Sequence, residues 1–166
     1  MLVLGIDPGT ATTGYGLVAE NPDGSLQAIR YGVISTPAGV PLANRLVTLR
    51  CQLQEILLLH RPDASAVEKL FFARNVTTAI AVGQARGVIL LTLAEANLEI
   101  GEYTPLEVKQ AVAGFGRADK KQVQQMTRVL LNLDDIPKPD DAADALAIAI
   151  CHLHSRRSLG QGIQTV

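Results

Sequence analysis

Long uninterrupted apolar runs are missing from this chain: none reaches membrane-spanning length without a charge or a breaker. The opening "MLVLGIDPG" has neither a basic start nor a signal-cleavage site. These absences predict a cytoplasmic protein with no membrane partner. Cysteine is scarce, with only Cys51 and Cys151 present, and both lie in apolar helical contexts. That predicts two free buried thiols rather than a disulfide. There is no CxxC, no zinc-ligand spacing and no structural repeat, which removes zinc modules and solenoids. Charged residues make up only 19% of the chain against 48% hydrophobic ones, the balance of a packed globule rather than a disordered segment.

An excess of positive charge is also absent, since the formal net charge is −1. The average hides an uneven distribution. Residues 69–128 hold eight basic against five acidic side chains, a balance of +3, and the remainder holds seven against eleven, a balance of −4. A bound cation would offset the acidic excess, so net charge does not exclude a phosphate-rich partner.

What is present reads as an α/β chain. "MLVLGID" is a buried strand closed by Pro-Gly, and "GYGLVAE" and "LQAIRYGVIST" are strands joined through an Asp-Gly turn signal. From Leu42 the period lengthens. Leu42, Leu46, Leu49, Leu53 and Ile56 form a helical stripe that Pro62 ends. "ASAVE" and "LEIGEY" are two further strands. Helices are predicted over 76–96, 105–113, 119–132 and 140–155. Strands first, then helix and strand in alternation, give a mixed five-stranded sheet, its first three strands antiparallel, flanked by helices. Length suits a single domain over residues 1–155, with a loose Gly-rich tail at residues 156–166.

Carboxylates at the ends of these elements raise the functional question. Asp7 closes the first strand and Glu68 closes "ASAVE", the carboxyl ends where α/β folds tend to bind ligands. In "KPDDAADALAIAI", Asp141 and Asp144 share a helix face, and so do Asp140 and Asp144, so spacing leaves both pairs open. Capping explains an acid in the first helical turn but not Asp144, which lies one turn further on among alanines. Two unscreened carboxylates ~5 Å apart at an effective dielectric of ~20 repel by roughly 3 kcal/mol, so a converging cluster calls for a cation. All-oxygen donors with no His or Cys nearby favour Mg²⁺ or Mn²⁺. Two such ions can activate a water and stabilise the leaving oxygen of a phosphodiester.

"GIDPGTATTGYG", "AVEKLFFARN", "GQARGV", "VKQAVAGFGRADKKQVQ" and "DDAADALAIAI" resemble, in order and over nearly the whole chain, the motifs of the RuvC family of bacterial Holliday-junction resolvases. The resemblance implies a ribonuclease H-like fold, a homodimer, Mg²⁺-dependent paired symmetric nicking of four-way DNA junctions, and work beside the RuvA–RuvB branch-migration machinery. It places the four acidic metal ligands and catalytic residues on Asp7, Glu68, Asp141 and Asp144, with two Mg²⁺ ions per site and Mn²⁺ as a substitute. Asp140 is left as a helix cap.

The resemblance also places Lys109 and Lys120 beside the scissile phosphate and Phe71 at the junction centre. The segment "GFGRADKK" supports a phosphate role by itself, because mobile glycines and the cations Arg117, Lys120 and Lys121 open a helix. Phe71 and Phe72 are adjacent in a chain with 4% aromatics, and a base stacked on one of them is worth ~1–3 kcal/mol. Arg74 and Arg86 are expected as backbone contacts, and His152 and His154 as inert surface residues. The helix 76–96, apolar on most faces, is the expected dimer interface. Competing readings are a related nuclease acting on structured RNA, an ATPase of the actin and Hsp70 type, and a non-catalytic junction binder. The ATPase would need a second lobe, and a binder gains nothing from four carboxylates facing phosphates.

Overall fold

The computed structural model describes residues 1–70 and 76–161 of the chain, so Phe71, Phe72 and Arg74 lie outside the described residues. Five strands form one sheet: β1 (Leu2–Asp7), β2 (Thr12–Glu20), β3 (Leu26–Ser35), β4 (Ala64–Glu68) and β5 (Glu99–Tyr103). Their spatial order is β3-β2-β1-β4-β5. β1 to β3 are antiparallel, while β4 pairs parallel with both β1 and β5. The helices are α1 (Leu42–His60), α2 (Val76–Glu95), α3 (Pro105–Ala113), α4 (Lys120–Leu130) and α5 (Asp140–Gln161).

Strand periodicity sorts the core into two layers. Leu4, Ile6 and Val67 point one way and pack with Leu49, Leu53 and Leu57 of α1 and Ala85, Ile89 and Leu93 of α2. Val3, Ala64 and Ala66 point the other way, onto α5, which α3 and α4 cover from outside. α5 is therefore apolar all round: residues 145–153 are buried without exception.

Contact between α5 and the sheet depends on the absence of side chains. A Cβ on Gly5 would lie 2.1 Å from the Ala145 carbonyl oxygen and 2.6 Å from the Ala149 nitrogen, and one on Gly14 would lie 2.0 Å from the Asp141 carbonyl oxygen. The helix thus rests directly on backbone, with Ala142, Ala145 and Ala149 as its own small residues.

Several details differ from the sequence reading. α5 runs on to Gln161 rather than ending near residue 155, with Arg156 on Glu99 and Arg157 on Glu20, each at 2.5 Å. Cys51 is exposed and only Cys151 is buried, because position 51 falls on the solvent face of α1. His152 is 2% exposed, enclosed under β5, where its Nδ1 lies 3.0 Å from the Tyr103 hydroxyl. Burial depresses its pKa. α2 is half core and half surface, since Ile80 and Leu91 remain exposed.

Gly5→Ala is expected to destabilise the protein by about 2–4 kcal/mol, because backbone atoms, not a flexible side-chain tip, receive the new methyl group. Gly39→Ala, with nothing within 4 Å of the added atom, should stay within about 0.5 kcal/mol. Urea denaturation of the two variants checks the contrast.

Candidate active site

The parity that puts Val3 and Gly5 on the α5 side of β1 puts Asp7 there too, and in β4 it carries Ala64 and Ala66 on to Glu68. The parallel register runs from Val3↔Ala64 to Ile6↔Val67, so one more step sets Glu68 beside Asp7. On the other flank Asp7 pairs with Gly14, whose bare α-carbon touches the backbone of Asp141. The start of α5 is thereby seated over the strand ends, and Asp144 follows one turn later. These four carboxylates come from three elements and are all partly buried.

Their electrostatics show the crowding. Burial pushes the Asp7 pKa up to about 8, with repulsion from Glu68, Asp144 and Asp141 adding to it and Lys120 partly offsetting it. Burial, then Asp144, raises Glu68, and burial raises Asp144 despite Lys120. No group of three or more His, Cys, Asp and Glu side chains among the described residues is placed to hold a metal ion as it stands. The positive charge beside the cluster comes from lysine: Lys120 Nζ lies 3.0 Å from Asp144 Oδ2 and 3.1 Å from Asp140 Oδ2.

α4 and α3 deliver the lysines. Asp119 caps α4 in a capping box with Gln122, which makes Lys120 the first helical residue. Thr104 and Glu107 form the same box at α3, directly after β5, and set Lys109 in its second turn. A pocket of about 190 Å³ is lined by Glu68, Lys109, Lys120, Asp144, Val108 and Ala147, among others. Lys121 is exposed on α4, and Arg117 borders a different cavity, with Leu106 and His154.

Asp140, expected as a cap, is the first residue of α5, and its side chain reaches across to α4 instead. Oδ1 accepts from Gln124 Nε2 at 3.1 Å and Oδ2 meets Lys120, which holds its pKa below the carboxylate norm. Arg86 is not splayed toward solvent: it donates from Nε to the carbonyl of Glu68 at 3.1 Å and pairs with Glu102. Gln124 gave no sequence signal: it is a buried polar residue whose side chain meets Asp140 across the helices. Arg86 was expected as a DNA-backbone contact, and nothing local in the sequence marks the Glu68 carbonyl and Glu102 as its partners.

The oxygen-only donor set and the mutual repulsion at Asp7 fit hard divalent cations. Residues 3–152 match the family model described as "Crossover junction endodeoxyribonuclease RuvC". The chain is 60% identical over 155 residues to the RuvC endodeoxyribonuclease of Heliobacterium modesticaldum, covering 93% of this chain and 95% of that one. It is 57% identical to that of Syntrophomonas wolfei, covering 95% and 91%. Among solved structures it superposes on Thermus thermophilus RuvC with a TM-score of 0.89 at 39% identity, covering 95% and 96% of the two chains. A second structure, T. thermophilus RuvC in complex with Holliday junction substrate, gives a TM-score of 0.87 at 36% identity, with the same coverage. The yeast mitochondrial Holliday junction resolvase Ydc2 shares the fold alone, with a TM-score of 0.73 at 16% identity. This chain belongs to the RuvC family of crossover junction endodeoxyribonucleases.

Proposed function

We propose that this protein cuts four-way DNA junctions by divalent-metal-assisted hydrolysis of a phosphodiester in each of two symmetric strands. The observation that carries the chemistry is the convergence of Asp7, Glu68, Asp141 and Asp144, from three elements, at partly buried positions around one mouth of the sheet, a cluster that a divalent cation would relieve. The crossover junction endodeoxyribonucleases among its relatives, and the Holliday junction in the Thermus complex, favour junction DNA over structured RNA as substrate.

Asp7, Glu68, Asp141 and Asp144 would hold Mg²⁺, two ions per pocket, with Mn²⁺ as a substitute. Bound there, such ions supply Lewis acidity for water activation and for the leaving oxygen. Lys109, on the pocket wall, holds a phosphate oxygen at the reaction centre, where a fixed cation counts most in the transition state. Lys120 balances Asp144 and Asp140 until phosphate enters. Lys121, Arg117 and Arg74 supply backbone contacts and Phe71 a stacking surface, in keeping with the family resemblance. A two-fold homodimer presents one pocket to each strand, and the exposed Ile80 and Leu91 of α2 suit its interface. RuvA–RuvB is the partner machinery this reading implies, in the cytoplasm. Among the described residues no helix is long and apolar enough to cross a membrane.

Asp7→Asn is expected to lower cleavage of a synthetic junction by about 10³-fold or more while junction affinity stays close to wild type, which gel-based cleavage and binding assays separate. Lys109→Ala should lower single-turnover cleavage by about 10²-fold and change affinity by no more than about threefold. An unchanged rate would make it an ordinary surface lysine.

A third expectation concerns pH in EDTA. In the folded state Asp7 keeps its proton up to about pH 8, whereas the unfolded chain releases it near the ordinary value of 3.8. The folded state binds the extra proton between those limits, so raising pH through this window costs stability. Asp7→Asn has no such loss, and its advantage over wild type should grow by about 2–4 kcal/mol between pH 5 and pH 8. Urea titrations at the two pH values measure it, and titrating groups remote from Asp7 cancel in the difference.

A further inference from the structure

We propose that Arg86 is a positioning residue, clamping the backbone at Glu68 so that its carboxylate is held toward the acidic pocket. The inference rests on the reading of Glu68 as a metal ligand and adds a group that never touches metal or DNA.

β4 ends at Glu68, and strand ends are where backbone groups lose their partners. The next residue, Lys69, donates its N–H to the Tyr103 carbonyl of β5 at 2.7 Å. That N–H and the Glu68 carbonyl belong to one trans peptide group and point in opposite directions, so the carbonyl is turned the other way, toward β1. Beyond Asp7, β1 continues as Pro8, which has no N–H to give. The carbonyl is therefore left without a sheet partner by the same Asp-Pro-Gly turn that exposes Asp7.

Arg86 fills that gap. It reaches from the middle of α2, where Ala85 and Ile89 on either side of it are buried in the core, and places Nε 3.1 Å from the Glu68 carbonyl oxygen. Its terminal nitrogen pairs with Glu102 of β5. The side chain is only 18% exposed, and a guanidinium offers several donors in one rigid plane, so one residue joins α2 to the ends of two neighbouring strands. The clamp acts from the α2 side, whereas strand parity points the Glu68 carboxylate to the α5 side, so it leaves the pocket open. A cation committed to a carbonyl and a carboxylate is a poor phosphate contact, which separates this role from the backbone contact its charge suggested.

The test uses the full-length protein with Arg86→Gln, Arg86→Lys and Glu102→Gln. Mn²⁺ binding is measured by calorimetry without DNA, and junction affinity is measured in Ca²⁺. Arg86→Gln should weaken Mn²⁺ binding by about tenfold and raise the Mg²⁺ concentration for half-maximal cleavage similarly, with junction affinity within about twofold. Glu102→Gln should shift both in the same direction by a smaller factor, and Arg86→Lys should recover part of the loss. Weakened junction binding with unaltered metal affinity would overturn the proposal and make Arg86 a DNA contact. A lowered melting temperature with unaltered metal affinity would overturn it too, leaving a purely structural ion pair. A wild-type protein that binds Mn²⁺ but leaves junctions uncut would instead refute the junction-nuclease reading, while the DNA-free titration still decides the clamp.

Discussion

The pocket exists because a helix can lie directly on backbone. Gly5 and Gly14 present no side chain to α5, and α5 answers with Ala142, Ala145 and Ala149. Ordinary helix-on-sheet packing keeps the two surfaces apart to accommodate branched side chains. Here the separation is closed by small residues on both surfaces, and the gain is positional. Because Gly14 pairs with Asp7 across β1 and β2, the residue of α5 that it touches, Asp141, is delivered to the mouth of the same strand pair. The position of Asp144 then follows from helical pitch alone.

Convergence has an electrostatic cost that the rest of the site answers. Three elements bring carboxylates into partly buried positions, and burial is the largest cause of the raised pKa at Asp7, Glu68 and Asp144 alike. A protein that had only to fold would neutralise such a cluster with apolar residues at little loss. This one supplies a lysine at the rim and keeps the interior acidic. That pattern suits a site whose ligand brings positive charge and whose substrate brings phosphates.

Much of this was legible in the chain. The five strands, the mixed topology and the acids at strand ends follow from period, punctuation and the position of Pro-Gly, and all are local signals. What stayed hidden depends on tertiary contact. The motif resemblance left Asp140 as a cap, but its partner on α4 is sixteen residues away in sequence, so no local pattern could assign its role. His152 ends a run that looks like a helix terminus, and only the continuation of α5 to Gln161 and the cover of β5 bury it. Cys51 shows the reverse error: an apolar neighbourhood in sequence straddles both faces of a helix, and position 51 falls on the wet one. The readings of Phe71 and Arg74 fall outside the described residues.

Lys120 and Lys121 show where fold and site disagree and which prevails. Both occupy the first turn of α4, at the positive end of a helix dipole, where acids are the favoured residues. Asp119 and Gln122 make a complete capping box, so the helix start is otherwise well built and the cations are not errors of a frayed end. For Lys120, burial pulls its pKa down, but hydrogen bonds to Asp144 and Asp140 outweigh this and leave it raised. The ammonium is thus held against both the dipole and desolvation by carboxylates from another element. Local preference yields at the one place where α4 meets the acidic mouth of the sheet. On the proposed reading, a cation at Asp144 would replace the lysine as its counter-charge and would free Lys120 for a phosphate, while Asp140 would keep its hydrogen bond from Gln124.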